Sequence, residues 1–315
     1  MNAGRLLGSL LAGVLGFGLI AGLFLLTGVS LASLGDLMAR LDWLAFAGIV
    51  LCSFLYVILG AAKWYFIAGV PAPRAFFYTH YTAQAMLIGQ FLPPPIAIAA
   101  SRTAVMKLKQ NVALKKGFLN ALYDMGFDFL VAALLVPISF LQWFYGFSFV
   151  IWLALGIASV LATGLMLTHA PHIFPDAWLE KFGLIEHRKH GLLSKRIIGL
   201  MMLLSTARFT VVIVRLALGA VAIGIAVPFA TVAYATPPAT MSSLLMLTPA
   251  NLGIAEWSWT YLLALWGISM AVGTLYGVSF RILVFAAQLI VSAVCWILYE
   301  ATSRSPTGKN SGCNK

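Results

Sequence analysis

The sequence predicts an all-helical membrane protein with about seven or eight membrane segments, two of which contain broken or re-entrant helices in two related halves. Hydrophobic residues make up 62% of the chain and charged residues only 9%. Together with a mean hydropathy of +0.97, this composition indicates a chain that faces lipid more than water. Prolines interrupt two of the apolar stretches, at residues 93–95 and at Pro249, where a helix cannot continue unchanged.

Apolar stretches recur along the whole chain and predict one transmembrane domain over residues 1–302, with halves at about 1–156 and 157–302. Residues 303–315 are polar and predict a disordered tail. The first stretch, residues 6–26, is longer than the apolar core of a cleaved signal peptide, so we expect a retained helix.

Residues 31–41 place apolar side chains at threes and fours, which predicts an amphipathic helix at the membrane surface. The stretches that follow are each apolar over about 20 residues, the length that crosses a bilayer. Lys63, beside Trp64 near the end of one such stretch, is expected to snorkel to the membrane surface. The predicted spans cover residues 43–69, 117–141, 148–168, 197–225, 254–270 and 276–299.

The formal net charge of +11 lies mainly between the predicted spans, which is a topology signal and does not indicate nucleic-acid binding. We expect both basic segments in the cytoplasm and the chain in a bacterial inner membrane. The basic residues are Lys107, Lys109, Lys115 and Lys116 in one segment, and Lys181, Arg188, Lys189, Lys195 and Arg196 in the other. The cysteines and loop histidines fit neither a disulfide framework nor a metal site, so no metal and no cofactor is expected. They are Cys52, Cys295, Cys313, His169, His172, His187 and His190.

The first proline interruption, FLPPPIAIAASR at residues 91–102, belongs to an apolar stretch at residues 78–100 that basic residues flank on both sides. If both flanks are cytoplasmic, the stretch enters and leaves the membrane on one side, which predicts a re-entrant hairpin. Pro93, Pro94 and Pro95 would then end one half-helix and begin another. Non-helical backbone at membrane depth is tolerated only against protein or a wet cavity, so this break marks a candidate site.

A second interruption, LTPANLGIAEW at residues 247–257, aligns with the first when Pro249 is placed on Pro93, a shift of about half the chain. Paired helix breaks in corresponding halves indicate a transporter-like site between repeats. Asn251 is expected to cap the second half-helix, with Glu256 near its positive end. Two roles stay open for Glu256, a local capping carboxylate or a functional group. The free amides at the break are alternatively a site for an anionic headgroup.

Charged and polar residues inside the spans form stripes on otherwise apolar helices. They are Asn120, Asp124 and Asp128 on one helix, Arg208 and Arg215 on another, and Arg281, Gln288 and Ser292 on the last. In one interpretation the carboxylates neutralise the arginines as structural ion pairs. In the other, the stripes line a polar cavity in which arginines bind a phosphate bidentately, since intramembrane charges usually mark function. Arg102 either contacts lipid headgroups or belongs to the same site.

These motifs resemble the lysylphosphatidylglycerol synthase transmembrane region, a flippase-like family of bacterial and archaeal membrane proteins. The resemblance runs from Lys63 to about Ser292. Its most specific part is PANLGIAE at residues 249–256, in which Gly253 stands at the family's glycine. Arg281 stands where the family often has an arginine in its last span.

Residues 92–102 resemble the family's proline-to-arginine stretch, but Ile98 and Ala99 replace the glycine and the acidic residue that are common there. Met125 likewise stands where the family often has an arginine. The better-known members flip an aminoacylated phospholipid and carry a separate soluble synthase domain, which has no counterpart in this sequence. The resemblance therefore implies lipid handling or translocation without aminoacyl transfer.

We expect a flippase-like protein that binds or translocates an anionic phospholipid or a lipid-linked glycan between leaflets. No nucleophile–base pairing and no cofactor fingerprint stands out, so an enzyme is not expected. The alternatives are an accessory subunit of a membrane glycosyltransferase or lipid-modifying system, and a channel for ions or small solutes. A second copy of the chain or a membrane enzyme is left open as a partner. The candidate binding residues are Arg102, Asp124, Asp128, Arg208, Arg215, Asn251, Glu256 and Arg281.

Overall fold

The computed structural model describes residues 3–173, 194–242 and 248–303. Over these residues the chain forms helices and turns without a β-strand, which confirms the all-helical prediction. The helices are α1 (Ala3–Thr27), α2 (Leu31–Ala39), α3 (Trp43–Ala68), α4 (Phe77–Ile88), α5 (Pro94–Gln110), α6 (Leu114–Tyr145), α7 (Phe149–Ile173), α8 (Lys195–Ala222), α9 (Phe229–Ser242), α10 (Ile254–Leu265) and α11 (Met270–Ser303). Outside the described residues lie most of the predicted tail and Lys181, His187, Arg188, Lys189, His190 and Cys313.

Five helices, α3, α6, α7, α8 and α11, are long and apolar enough to cross a membrane. A sixth span results if α1 and α2, which are bent by 90° where they meet, count as one. The chain is therefore an integral membrane protein, although the predicted total of seven or eight segments is not confirmed. Helices such as α4 and α10, with 12 residues each, reach only about 18 Å and are too short to cross about 30 Å of hydrocarbon.

Helices α4 and α5 form a hairpin that returns to the side from which it starts. α4 ends at Ile88, and α5 begins at Pro94, directly after its N-cap residue Pro93. Gln110, at the end of α5, donates a hydrogen bond of 2.9 Å from Nε2 to the hydroxyl of Tyr78, at the start of α4. The proline run breaks the helix as predicted, because proline lacks an amide proton and fits the first turn of a new helix.

Helices α9 and α10 form a second hairpin that also returns to its starting side. The ring centroids of Tyr234, on α9, and Trp266, just after α10, are 6.0 Å apart. The end of α10 lies beside the end of α6, where Trp143 Nε1 donates to the carbonyl oxygen of Leu265 at 2.9 Å. Phe229, which begins α9, lies beside Phe149 at the start of α7, with ring centroids 5.7 Å apart. The first hairpin ends instead beside the start of α6, because only residues 111–113 connect α5 to α6. Since α6 has 32 residues and is about 48 Å long, the hairpins enter from opposite sides of the bilayer.

The second helix break is longer than the alignment of the two motifs predicts. Pro249 begins a 3₁₀ turn, and α10 begins only at Ile254. The prediction that Asn251 caps this helix is wrong, because Asn251 lies inside the turn with a φ of 54°. The N-cap residue is Gly253, whose amide donates to Oε2 of Glu256 at 2.8 Å. Glu256 therefore acts as the capping carboxylate at the positive end of α10.

Arg281, on α11, holds the backbone of this break in place. Its Nη1 donates to the carbonyl oxygen of Ala250 at 3.0 Å, and its Nη2 donates to that of Asn251 at 3.2 Å. Its Nε is ion-paired with Glu256. Carbonyl groups released by a helix break need partners at membrane depth, and this guanidinium group provides them.

The same helix is also bonded to the first hairpin. Gln288 Nε2 and Ser292 Oγ each donate to the carbonyl oxygen of Ala83, on α4, at 3.1 Å. The polar stripe of the last span therefore binds both hairpins to α11, the second hairpin through Arg281 and the first through Gln288 and Ser292.

Replacing Gly253 by alanine is expected to destabilise the second break. Gly253 has a φ of 83°, in the left-handed region that costs a residue with a side chain about 1 to 2 kcal/mol. An added Cβ would also lie 2.9 Å from the carbonyl oxygen of Gly16 on α1. We expect a lower thermal unfolding midpoint for the variant in detergent. Gly13→Ala, whose Cβ meets nothing within 4 Å, serves as the control, and equal midpoints for both variants would contradict the prediction.

Candidate functional site

A cavity of about 300 Å³ lies between the two hairpins and the long helices. The first hairpin contributes Pro94 and Pro95, at the start of α5, and the second contributes Thr240, near the end of α9, and Trp259, on α10. The other walls come from α3, α6, α8 and α11. Both hairpins therefore reach one internal space, which is where broken helices are tolerated in a membrane.

Two carboxylates of α6, Asp124 and Asp128, line this cavity one helical turn apart. Lys63, on α3, binds both, with its Nζ 2.7 Å from an oxygen of Asp124 and 2.6 Å from an oxygen of Asp128. The prediction that Lys63 snorkels to the surface is wrong, because its side chain is 0% exposed. The two carboxylates neutralise the ammonium group inside the protein, so the side chain does not need to extend to the membrane surface.

Each carboxylate also binds an arginine of another helix. Arg102, on α5, is ion-paired with Asp124, and Arg208, on α8, is ion-paired with Asp128. Arg102 is 2% exposed and lines the cavity, so it belongs to the site and not to the headgroup layer. These pairs join α3, α5, α6 and α8 by buried charges. The pair between Asp128 and Arg208 is one that the structural interpretation of the stripes predicted, whereas Lys63 and Arg102 were not among its expected partners.

Arg215 lines the same cavity two turns after Arg208, but no carboxylate in the described part of the chain is ion-paired with it. Its Cζ lies 5.2 Å from the ring centroid of Tyr56, and the Cζ of Arg208 lies 4.0 Å from the same centroid. We call these charged residues the central charge cluster. It consists of four cations, Lys63, Arg102, Arg208 and Arg215, and two carboxylates, Asp124 and Asp128.

The central charge cluster therefore has two more positive than negative charges. Charges interact strongly where water is scarce, and an uncompensated positive charge inside a membrane is costly. An anion that enters the cavity removes this cost. The remaining cavity wall is largely apolar, with Met125, Phe129, Phe209, Val212, Leu216, Trp259 and Phe280. Such a combination of fixed cations and apolar surface suits an amphipathic anion.

The structure brings some of the predicted site residues together and places others elsewhere. Those that line the cavity are Pro94, Pro95, Arg102, Asp124, Asp128, Arg208 and Arg215. Those that do not line it are Pro93, Pro249, Asn251, Gly253, Glu256 and Arg281. Arg281 does not line the cavity with Arg208 and Arg215, and its guanidinium group binds Glu256 and the carbonyl groups of the second break instead.

Sequence reasoning missed two residues of the site, Lys63 and Tyr56. They are seven residues apart on α3 and therefore share a face of that helix. Gly60 lies on the same face, and a Cβ there would lie 3.4 Å from Cζ of Arg208. The signal was available in the sequence, because the predicted span over residues 43–69 already places Lys63 inside the span and not at its end.

The fold and the cavity define an integral membrane protein in which two oppositely directed helix hairpins and several spanning helices enclose a positively charged space. Among known families, the Lysylphosphatidylglycerol synthase TM region matches residues 7–292. The chain belongs to this family, as its motifs predicted, and the match begins closer to the N-terminus than the motifs do. No curated protein and no solved structure matches the chain.

Proposed function

We propose that this protein binds an anionic phospholipid or lipid-linked glycan and moves it between the leaflets of the bilayer. The observation that carries the proposal is the surplus of positive charge in a cavity with largely apolar walls. An anionic headgroup neutralises this surplus, whereas a neutral or cationic headgroup does not. Membership of the family, whose name refers to a phospholipid synthase, supports the same class of substrate.

Arg215 is the group best placed to bind the headgroup first. Its Nε forms no hydrogen bond with the described residues, and its guanidinium group has two parallel N–H bonds to offer a phosphate. Arg208 then shares the same phosphate, since both arginines lie over Tyr56. Lys63 keeps Asp128 neutralised when Arg208 turns to the lipid.

Movement between leaflets is assigned to the two hairpins. They enter from opposite sides of the bilayer and both line the cavity, so a tilt of one against the other would open the cavity first to one side and then to the other. The acyl chains remain in the bilayer while the headgroup passes. No energy source is part of the proposal, so the lipid moves down its own gradient.

The proposal places the protein in a bacterial inner membrane with its basic helix ends in the cytoplasm. Lys107 and Lys109 lie in the last turn of α5, and Lys195 and Arg196 begin α8. Two spanning helices, α6 and α7, lie between these ends along the chain. A chain that crosses the bilayer twice returns to its starting side, which supports both basic ends lying on one side, as the positive-inside rule requires. The protein acts as a carrier and not as an enzyme, and a second copy or a membrane enzyme is its expected protein partner.

Replacing Arg215 by alanine is expected to slow lipid exchange by about tenfold or more, because a hydrogen bond to a charged group contributes about 1.5 to 3 kcal/mol. The measurement is the exchange of tail-labelled fluorescent phosphatidylglycerol in proteoliposomes. Stability should stay close to that of the wild type, since Arg215 has no carboxylate partner among the described residues. Arg196→Ala, at an exposed position of the same helix, is the matched control.

The same assay tests the alternatives. Exchange by the wild type no faster than in empty vesicles would contradict translocation and favour an accessory subunit of a membrane enzyme. That alternative has one observation in its favour, because Ala99 stands where the resemblance implies an acidic residue. Ile98, which stands where it implies a glycine, lines the cavity. Lipid-independent conductance would indicate a channel instead.

A further inference from the structure

An apolar groove of about 640 Å³ runs between α5 and α6. Among the described residues that line it, Thr103 alone has a polar side chain. The lining residues are Pro95, Ile96, Ala99, Ala100, Thr103, Ala104, Leu114, Phe118, Leu122, Met125, Gly126 and Phe129. The small side chains among them leave the space that larger residues would fill at a packed helix contact.

The groove adjoins the cavity of the central charge cluster. Pro95, Met125 and Phe129 line both spaces. On α6, Asp124 is followed by Met125, and Asp128 is followed by Phe129. Each charged residue of the cavity is therefore next to an apolar residue that also lines the groove. A molecule whose polar end lies among the charges therefore has an apolar groove next to it for its apolar part.

The groove is open to the bilayer along its length. Large apolar side chains at its rim are about half exposed, namely Ile96 at 53%, Phe118 at 47% and Leu122 at 45%. From Leu114 to Phe129 it follows α6 for about 22 Å, whereas one leaflet contributes about 15 Å of hydrocarbon, half of the bilayer core. The groove is thus long enough for one acyl chain of a membrane lipid.

We infer that this groove holds an acyl chain of the lipid whose headgroup occupies the central charge cluster, an assignment that rests on the proposed function. The ligand is then a membrane lipid with an anionic headgroup and not a soluble anion. Headgroup and chain are recognised by adjoining surfaces, the headgroup by arginines and the chain by the small-residue face of α5 and α6. The open rim lets the chain enter sideways from the bilayer.

Gly126 offers a specific way to close the groove. It is exposed, it lines the groove, and an added Cβ would meet nothing within 4 Å. A phenylalanine at this position therefore fills the groove without colliding with the protein at its Cβ and without altering a charge. Gly18, on α1, is also exposed with nothing within 4 Å of an added Cβ, so Gly18→Phe is the matched control.

The test uses phosphatidylglycerol with a photoreactive diazirine near the end of one acyl chain, in phosphatidylcholine vesicles that contain the protein. Mass spectrometry should locate the cross-links in residues 95–104 and 114–129. Gly126→Phe should lower this labelling by about tenfold or more, and Gly18→Phe should leave it unchanged. Arg215→Ala should lower it as well, because the headgroup then loses a ligand.

Two outcomes would overturn the inference. One is labelling of these segments to the same extent by a photoreactive phosphatidylcholine, which would mean that any surrounding lipid fills the groove. The other is labelling that Gly126→Phe leaves unchanged. If the groove is labelled as expected but the wild type does not exchange lipid between leaflets, the groove assignment stands and the translocation proposal fails.

Discussion

An Asp124→Asn variant is expected to lose about 3 to 5 kcal/mol of its free energy of unfolding. Asp124 is 1% exposed and is ion-paired with Lys63 and Arg102. Asparagine keeps the shape of the side chain but not its charge, so both cations remain buried with one carboxylate fewer. Removing one member of a buried pair is strongly destabilising because the charge that remains is left uncompensated in a medium of low dielectric constant.

The measurement is the unfolding of the purified protein in detergent, followed by tryptophan fluorescence. Asp36→Asn, at an exposed position of α2, removes the same charge and should change the free energy of unfolding by less than about 0.5 kcal/mol. Adding Lys63→Met to Asp124→Asn should recover part of the loss, since methionine needs no counter-charge. A loss below about 1 kcal/mol for Asp124→Asn would contradict the burial of the cluster, because only screened pairs contribute so little.

The second large effect is expected at the broken helix, where Glu256→Gln should lower the free energy of unfolding by about 2 to 4 kcal/mol. Glu256 is 1% exposed and both caps α10 through Gly253 and neutralises Arg281. The amide oxygen of glutamine still accepts the hydrogen bond of Gly253, so the variant isolates the loss of the ion pair. The expected loss is smaller than for Asp124 because Glu256→Gln leaves one cation without its carboxylate, and that cation, Arg281, still donates to the carbonyl oxygens of Ala250 and Asn251.

Adding Arg281→Gln to this variant separates the two roles of the arginine. The double variant carries no uncompensated charge, but it leaves the carbonyl groups of Ala250 and Asn251 without their guanidinium donors. We therefore expect it to be less stable than the wild type and no more than partly restored relative to Glu256→Gln. Full restoration would show that the carbonyl groups at this break do not need Arg281. Asp36→Asn again controls for the loss of a carboxylate.

The paired carboxylates and the unpaired Arg215 should respond differently in these experiments. Changes at Asp124 and Glu256 act on stability, because both carboxylates are buried and paired. Arg215→Ala is expected to slow the proposed lipid exchange with little effect on stability, because its positive charge has no carboxylate partner among the described residues. A cation whose removal affects function more than folding is the expected property of a ligand-binding group.

The helices and their breaks could be predicted because they depend on local chemistry. Hydropathy over about 20 residues predicts a span, and three consecutive prolines end a helix wherever it lies. The stripes of Asp124 with Asp128 and of Arg208 with Arg215 were likewise visible, since residues four and seven apart share a helix face. All four residues do line one cavity.

The errors concern the side chains whose roles depend on distant partners. Lys63 was assigned to the membrane surface, but it lies buried against Asp124, 61 residues away in the chain. Asn251 was predicted to cap α10, but it belongs to the 3₁₀ turn that begins at Pro249, and the N-cap residue is Gly253. Arg281 was grouped with the other arginines, but Glu256 and the broken backbone bind it.

By itself, the sequence determined that this is a helical membrane protein with two interrupted helices and with charges inside its spans, because hydropathy, proline geometry and helical periodicity act over a few residues. Only the tertiary structure decided which cation meets which carboxylate and which arginine is left over. A buried charge is stabilised by whatever counter-charge the packing of the helices brings within a few ångströms. The distance between a charge and its counter-charge depends on how α3, α5, α6 and α8 pack against one another, and it cannot be read from the sequence of any one helix.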